Sequence, residues 1–234
     1  MKLNVNDIFK KFGEKDVLKG ASFTFEKGKI YGLLGRNGAG KTTLFNCISG
    51  DLRYENGSVS ITDEYGTDVT ESREIGFAFS TPVLPEFLTG YEFIKFYMEI
   101  HNIDEGKSPA DYLRQLHFTE EDMNKLIKGY SQGMKNKLQM LTFFISHPAV
   151  ILLDEPMTSL DVVVAHEMKE ILLSMKDEHI TILSTHIMQL AADLCDEIVL
   201  LHDGKLQGLV TEGRTDRELE AYVMDLLKED YREE

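Results

Sequence analysis

The chain has 234 residues, 42% of them apolar and 28% charged, with 5 prolines; this is enough to bury a substantial core and excludes small disulfide scaffolds and disordered or low-complexity classes. Subtracting 40 acidic from 25 basic residues leaves a net charge of −15, which repels phosphate backbones at long range and argues against nucleic acid as a partner. The two cysteines, Cys47 and Cys195, show no C-x-x-C spacing, so neither a zinc site nor a disulfide framework is expected and a reducing compartment fits.

The N-terminal stretch MKLNVNDIFKKFGEKD lacks the continuous apolar core of a signal peptide. No window approaches the roughly 18 apolar residues of a membrane span, so any membrane crossing is expected of another chain. SFTFEKG, and later GSVSIT, alternate apolar and polar residues as antiparallel strands with one wet face do. Four further runs, KIYGLLG (29–35), VILLD (150–154), ITILST (180–185) and EIVLLHDG (197–204), are apolar on consecutive positions, the pattern of strands buried on both faces. Helical stretches at 41–50, 160–176 and 188–196 lie between them. The expected fold is therefore α/β, with a mostly parallel central sheet and an antiparallel β region near the N-terminus.

From 87 to 145 the reading is almost wholly helical, through FLTGYEFIKFYMEIHN, ADYLRQLHF, EDMNKLIKG and SQGMKNKLQMLTFFISH. This predicts a helical lobe over 87–145, inserted between two parts of an α/β core, 1–86 and 146–211. Residues 212–234 carry nine acidic and four basic side chains, with Leu219, Val223 and Leu226 at helical spacing, which predicts a short amphipathic helix with an acidic face.

Two motifs carry chemistry. After the first apolar run, Gly35-Arg36-Asn37-Gly38-Ala39-Gly40-Lys41-Thr42 fits G-x-x-x-x-G-K-[ST] at every required position and opens a helix, the mark of a P-loop NTPase core. Backbone N–H groups converge on phosphate oxygens only where side chains do not block them, hence the glycines. Gly35, Asn37, Gly38, Ala39, Gly40 and Thr43 are expected to form the cradle. Lys41 supplies a point charge, and the Thr42 hydroxyl is a hard oxygen ligand suited to Mg²⁺. VILLDEP then places Asp154 and Glu155 at the carboxyl end of a buried strand, where open α/β sheets bind ligands. Asp154 suits the outer shell of Mg²⁺, and Glu155 the deprotonation of an attacking water.

Taken in order, Phe12, the phosphate loop, Tyr130-Ser131-Gln132-Gly133-Met134, LLDEP, Ser159-Leu160-Asp161 and His186 make residues 2 to 210 resemble the ATP-binding subunit of ABC transporters, of bacterial exporter type. The resemblance implies ATP hydrolysis with ATP and Mg²⁺ as cofactors. It also implies a head-to-tail dimer, with itself or with a paired ATPase subunit, in which Ser131, Gln132 and Gly133 of one copy cover the ATP held by the other. Phe12 would stack on adenine, His186 would contact the γ-phosphate, and Asp161 would lie in the loop joining the two nucleotide sites. The implied partner is a membrane-spanning transporter subunit, with this chain peripheral on the cytoplasmic face.

Two departures stand out. The family's L-S-G-G-Q is Y-S-Q-G-M here, and its Mg²⁺-coordinating glutamine corresponds to Ser80 in REIGFAFS. A serine hydroxyl is a workable oxygen ligand but reaches less far than a glutamine amide, so Ser80 either acts on the metal through water or leaves the coupling to its neighbours. TPVLPEFLTGYEF matches the family's receptor groove for a short helix of the membrane subunit, and reads equally as a loop entering the helical lobe. A soluble ABC-type ATPase with a non-transport role is the alternative, and an ATP-holding regulator is opposed by the presence of Glu155. His166-Glu167 does not begin a zinc-protease motif, because Glu170 breaks H-E-x-x-H.

Overall fold

A computed structural model describes residues 1–209 except 71–73, 105 and 159. The acidic helix expected at 212–234 and Ser159 lie outside the described residues. The described residues form two compact units, one from 1–77, 149–155 and 176–209, the other from 78–148 and 156–175.

The first unit holds two sheets. Strands β1 (Lys2–Phe12), β2 (Lys15–Glu26) and β4 (Asn56–Thr62) form an antiparallel sheet in the order β2-β1-β4. The alternation of SFTFEKG and GSVSIT is realised there, with Phe23 paired to Val5 and Ile61 to Leu3. Strand β1, which the sequence pattern does not announce, is the centre of this sheet.

The second sheet runs β5-β6-β7-β3-β8-β9. Its members are β3 (Lys29–Leu34), β5 (Ile75–Ala78), β6 (Val150–Asp154), β7 (Ile180–Thr185), β8 (Glu197–His202) and β9 (Lys205–Leu209). The four predicted apolar runs are β3, β6, β7 and β8, and they pair in parallel. Every residue of β6 and β7 is buried, which is why their sequences are continuous rather than alternating. An antiparallel β9 completes the edge beside β8. Helix α1 (Lys41–Ser49) contributes Leu44, Phe45 and Ile48 to a core shared with Leu33, Leu152, Ile182 and Val199. Helix α7 (Met188–Leu194) buries Ala191 and Leu194.

The second unit is built from α2 (Gly90–Ile100), α3 (Pro109–Gln115), α4 (Glu120–Asn124), α5 (Gln132–Ser146) and α6 (Val162–Met175). Ile94, Leu113, Met123, Ile127, Leu138 and Leu141 form its core. The stretch EDMNKLIKG, expected as one helical segment, is instead the five-residue α4 followed by a 3-10 turn at Ile127–Gly129. The break has a cause: Leu126 is extended, at φ −62° and ψ 139°, and bridges antiparallel to Thr89.

Three helices of this unit start with a capping box, Thr89 with Glu92, Ser108 with Asp111, and Thr119 with Asp122. Each satisfies orphan amides with its own acid. Thr89→Ala is expected to lower unfolding free energy by about 1 kcal/mol, measured as a reduced urea midpoint.

Both cysteines are free thiols. Burial pushes Cys47 up to about 11 and Cys195 up to about 12. Cys195 is half-buried as a residue, but a Cβ at Gly32 would lie only 3.0 Å from its sulfur, which places the thiol against β3. An acid held protonated by the fold contributes stability that is intact below the ordinary thiol value of 9.0 and is lost as pH rises towards 11. At pH 8, iodoacetamide is expected to label both cysteines at least about tenfold more slowly in the native protein than in urea, as read by mass spectrometry; equal rates would contradict this burial.

Candidate functional site

The phosphate loop occupies the turn from β3 to α1, as its sequence predicts. Gly40 holds the N-cap at φ 104° and ψ 14°, a left-handed conformation unfavourable to any side chain, and a Cβ there would meet Val17 Cγ1 at 2.7 Å. In contrast to α2, α3 and α4, helix α1 has no side-chain cap and no acidic residue in its first turn. Its amino end therefore keeps the positive potential that α2, α3 and α4 cancel with their first-turn acids. Asn37 and Gly38 are exposed in the turn, while Gly35 closes β3 in a buried position and Ala39 donates its N–H to the Arg36 carbonyl at 3.0 Å. Thr43 is half-buried on the first turn of α1.

Lys41 is only 6% exposed. Its ammonium donates to the carbonyls of Gly35 at 2.8 Å and Arg36 at 3.3 Å, folding back over the loop. Burial lowers its pKa from the usual lysine value, against the opposing pull of the Glu155 and Asp154 carboxylates. A buried cation held by two neutral carbonyls is poised for an anion, since a phosphate oxygen offers what the carbonyls cannot, a compensating charge.

Asp154 and Glu155 have different partners. The Thr42 hydroxyl donates to Asp154 Oδ2 at 2.7 Å, and the Ser184 hydroxyl donates to Oδ1 at 2.6 Å. Strand register produces the second contact, because Asp154 on β6 is paired with Ser184 on β7. Ser184 also accepts the Glu155 N–H at 3.0 Å. Glu155 itself has φ 49°, an uncommon left-handed backbone for a residue with a side chain, and such strain collects at functional sites. Its Oε1 lies 3.1 Å from His186 Nδ1. The hard oxygens of Thr42 and Asp154 stand side by side next to an anion cradle, a donor set that fits Mg²⁺.

Ser184 is the residue that sequence reasoning misses. ITILST reads as an apolar strand, yet Thr181, Ser184 and Thr185 are all buried polar residues in it. Polar side chains at the end of a doubly buried strand are the available signal, since each needs a partner.

Phe12 closes the β1-β2 hairpin, paired with Lys15, and its ring is half exposed. One face carries the Lys10 ammonium, 5.4 Å from the centroid, and Lys10 is in turn held by Glu55 at 2.9 Å.

The remaining predicted residues lie in the helical unit. Ser131 caps α5, accepting the Met134 N–H at 3.2 Å, and Gln132 begins the helix. Tyr130, just before the cap, donates its hydroxyl to the Asp122 carbonyl at 2.6 Å. Gly133 faces α6, where a Cβ would come within 2.8 Å of Val164 Cγ1. Asp161 caps α6 by accepting the N–H groups of Val163 and Val164, both at 3.0 Å. Ser80 follows β5 and is exposed.

Comparison with known proteins agrees with this geometry. The family model described as ABC transporter matches residues 18–158. A fluoroquinolone export ATP-binding protein of Mycobacterium tuberculosis is 35% identical over 199 residues, which are 82% of this chain and 64% of that protein. An uncharacterized ABC transporter ATP-binding protein of Methanocaldococcus jannaschii is 34% identical over 87% of this chain and 75% of its own length. A solved structure of the ATP-binding subunit of an ABC transporter superposes with a TM-score of 0.82 at 26% identity, covering 97% of this chain and 99% of its own. The phosphate loop, the paired carboxylates and these likenesses together place the chain in the ABC transporter family, as one of its ATP-binding ATPase subunits.

Proposed function

We propose that this ATPase works as a head-to-tail dimer that sandwiches two ATP molecules and powers a separate membrane-spanning subunit from the cytoplasmic face. The observation that carries the reading is the Thr42–Asp154 hydrogen bond of 2.7 Å beside the buried Lys41. A metal-type oxygen pair and a cation beside the uncapped end of α1 support a polyphosphate bound there.

In this reading Lys41 lets go of the Gly35 and Arg36 carbonyls and donates to the outer phosphates, and the loop amides of 35–43 hold the remainder. Thr42 and Asp154 would hold Mg²⁺, with Ser80 acting on it through water; bound there, the ion would neutralise charge on the phosphates. Glu155 takes the proton of the attacking water. His186, with Nδ1–H donating to Glu155, keeps the carboxylate oriented and turns its Nε2 towards the γ-phosphate side. The adenine stacks on the face of Phe12 opposite Lys10.

A second copy supplies Ser131, Gln132 and Gly133. Support comes from Val162 and Val163, two β-branched residues beside Asp161 that are 87% and 68% exposed. Adjacent bare apolar side chains of this kind are what a dimer contact would cover. For the membrane partner, the corresponding observation is Val83 and Phe87, 80% and 78% exposed in the segment leading into α2. The mycobacterial relative is named for export, and export is the direction we assign here. No described helix is long and apolar enough to cross a membrane.

Phosphate release tests the reading. Glu155→Gln is expected to lower turnover by about 10²- to 10⁴-fold while ATP binding persists, so that ATP-bound dimers accumulate in sedimentation; equal turnover removes Glu155 as the base. Ser184→Ala strips one hydroxyl from Asp154 and the acceptor from the Glu155 N–H, and is expected to cost about 10- to 100-fold in turnover, with part of the loss recovered by raising Mg²⁺. Ser80→Ala is expected to weaken the Mg²⁺ dependence by a smaller factor, and an unchanged Mg²⁺ titration takes Ser80 out of the site.

A further inference from the structure

Asn136 is a buried polar residue in a helix, 7% exposed, four residues after Gln132 on α5. Its side chain is used at both ends. Oδ1 accepts from Gln132 Nε2 at 3.4 Å, and Nδ2 donates to the Pro156 carbonyl at 3.3 Å. Proline has no N–H, so that carbonyl is the one backbone group with which Pro156 can be held by hydrogen bonding. Pro156 directly follows Glu155, whose left-handed backbone at φ 49° has to be maintained by its surroundings.

A second contact pins the far end of the same segment. Gly133 lies so close to Val164 that a Cβ would come within 2.8 Å of it, and the Val164 N–H is bound by Asp161. The first turn of α5 is thus tied to the chain between 156 and 164 at both ends, by an amide at one and by a packed glycine at the other.

We infer that Asn136 is a positioning residue, coupling the Ser131–Gly133 turn to the loop that follows Glu155. This rests on the proposed reading in which that turn covers the partner's ATP. A displacement of the turn by nucleotide is passed through Gln132 and Asn136 to the Pro156 carbonyl, and so to the peptide that carries the general base. Asn136 touches no substrate; it acts by holding the Pro156 carbonyl against α5. A purely structural buried asparagine behaves differently, because its replacement leaves partners unpaired and lowers stability while the kcat of the folded protein stays at the wild-type value.

Steady-state phosphate release by the full chain tests this. Asn136→Asp removes the donor to Pro156 and keeps the acceptor for Gln132, Asn136→Leu removes both, and Gln132→Leu cuts the link from its end without entering the core. The expected result is a fall in kcat of about tenfold in both Asn136 variants, with KM for ATP within about twofold of wild type. Gln132→Leu is expected to lower kcat too, and by a smaller factor in the Asn136→Leu background than alone, since the two changes share one link although Gln132 also covers the partner's ATP.

Wild-type kcat in Asn136→Leu overturns the inference, as do Gln132→Leu and Asn136→Leu effects that multiply. If the melting curve shows Asn136→Leu to be unfolded, Asn136→Asp and Gln132→Leu decide by kcat alone, and wild-type values in both overturn it. Ser131→Ala separates the two levels of argument. Wild-type turnover and ATP-driven dimerisation in that variant remove the in-trans reading itself, whereas a defective Ser131→Ala beside a normal Asn136→Leu removes only the coupling.

Discussion

Asp154 is held by two hydroxyls, Thr42 on Oδ2 and Ser184 on Oδ1, and the rest of the site is arranged around that arrangement. A carboxylate only 8% exposed needs partners for its lone pairs. The parallel register of β6 and β7 supplies one and the first turn of α1 the other. Because β3 lies next to β7 in the same sheet, the loop that leaves β3 emerges at the same edge as Asp154. The anion cradle and the acidic pair are therefore a consequence of strand order, and Ser184 joins them by also accepting the Glu155 N–H.

Helix ends show the same economy in reverse. In the helical unit, α2, α3 and α4 each close their first turn with an acid from their own sequence. Such helices are electrostatically self-contained. Helix α1 begins with glycine and then lysine and two threonines, without side-chain cap or early acid, and its unspent amides and positive end are directed at whatever anion the loop encloses. On a chain of net charge −15 this local choice matters more than the global balance, because potential at a site is set by the groups within a few ångströms of it.

Much of this was readable from residues alone. The continuous apolar runs gave β3, β6, β7 and β8 because strands buried on both faces leave no room for alternation. The phosphate loop was legible because its glycines, lysine and threonine are each required by a separate physical demand. Strand β1 was not, since KLNVNDIFKKF is broken by irregular pairing and its charged residues mask the alternation. The split of EDMNKLIKG was also hidden: the helix stops where Leu126 bridges to Thr89, 37 positions away in the chain, and Ile127 and Lys128 donate their N–H groups to the Leu88 and Glu86 carbonyls. Ser184 escaped for a related reason. Its role depends on the residue across the strand pair, and no local pattern records a neighbour 30 positions distant.

Gly133 carries two demands at once. The resemblance assigns it to phosphate approach, yet its Cα also faces Val164 with no space for a methyl group. Alanine scanning, the usual way of attributing ligand contacts, mixes the two at this position, because the added methyl first pushes α5 away from α6. The position is constrained by interior sterics even when the nucleotide is gone, so tolerance there would track the size of residue 164. A chain with a smaller side chain at 164 is where an alanine at 133 would be expected to survive.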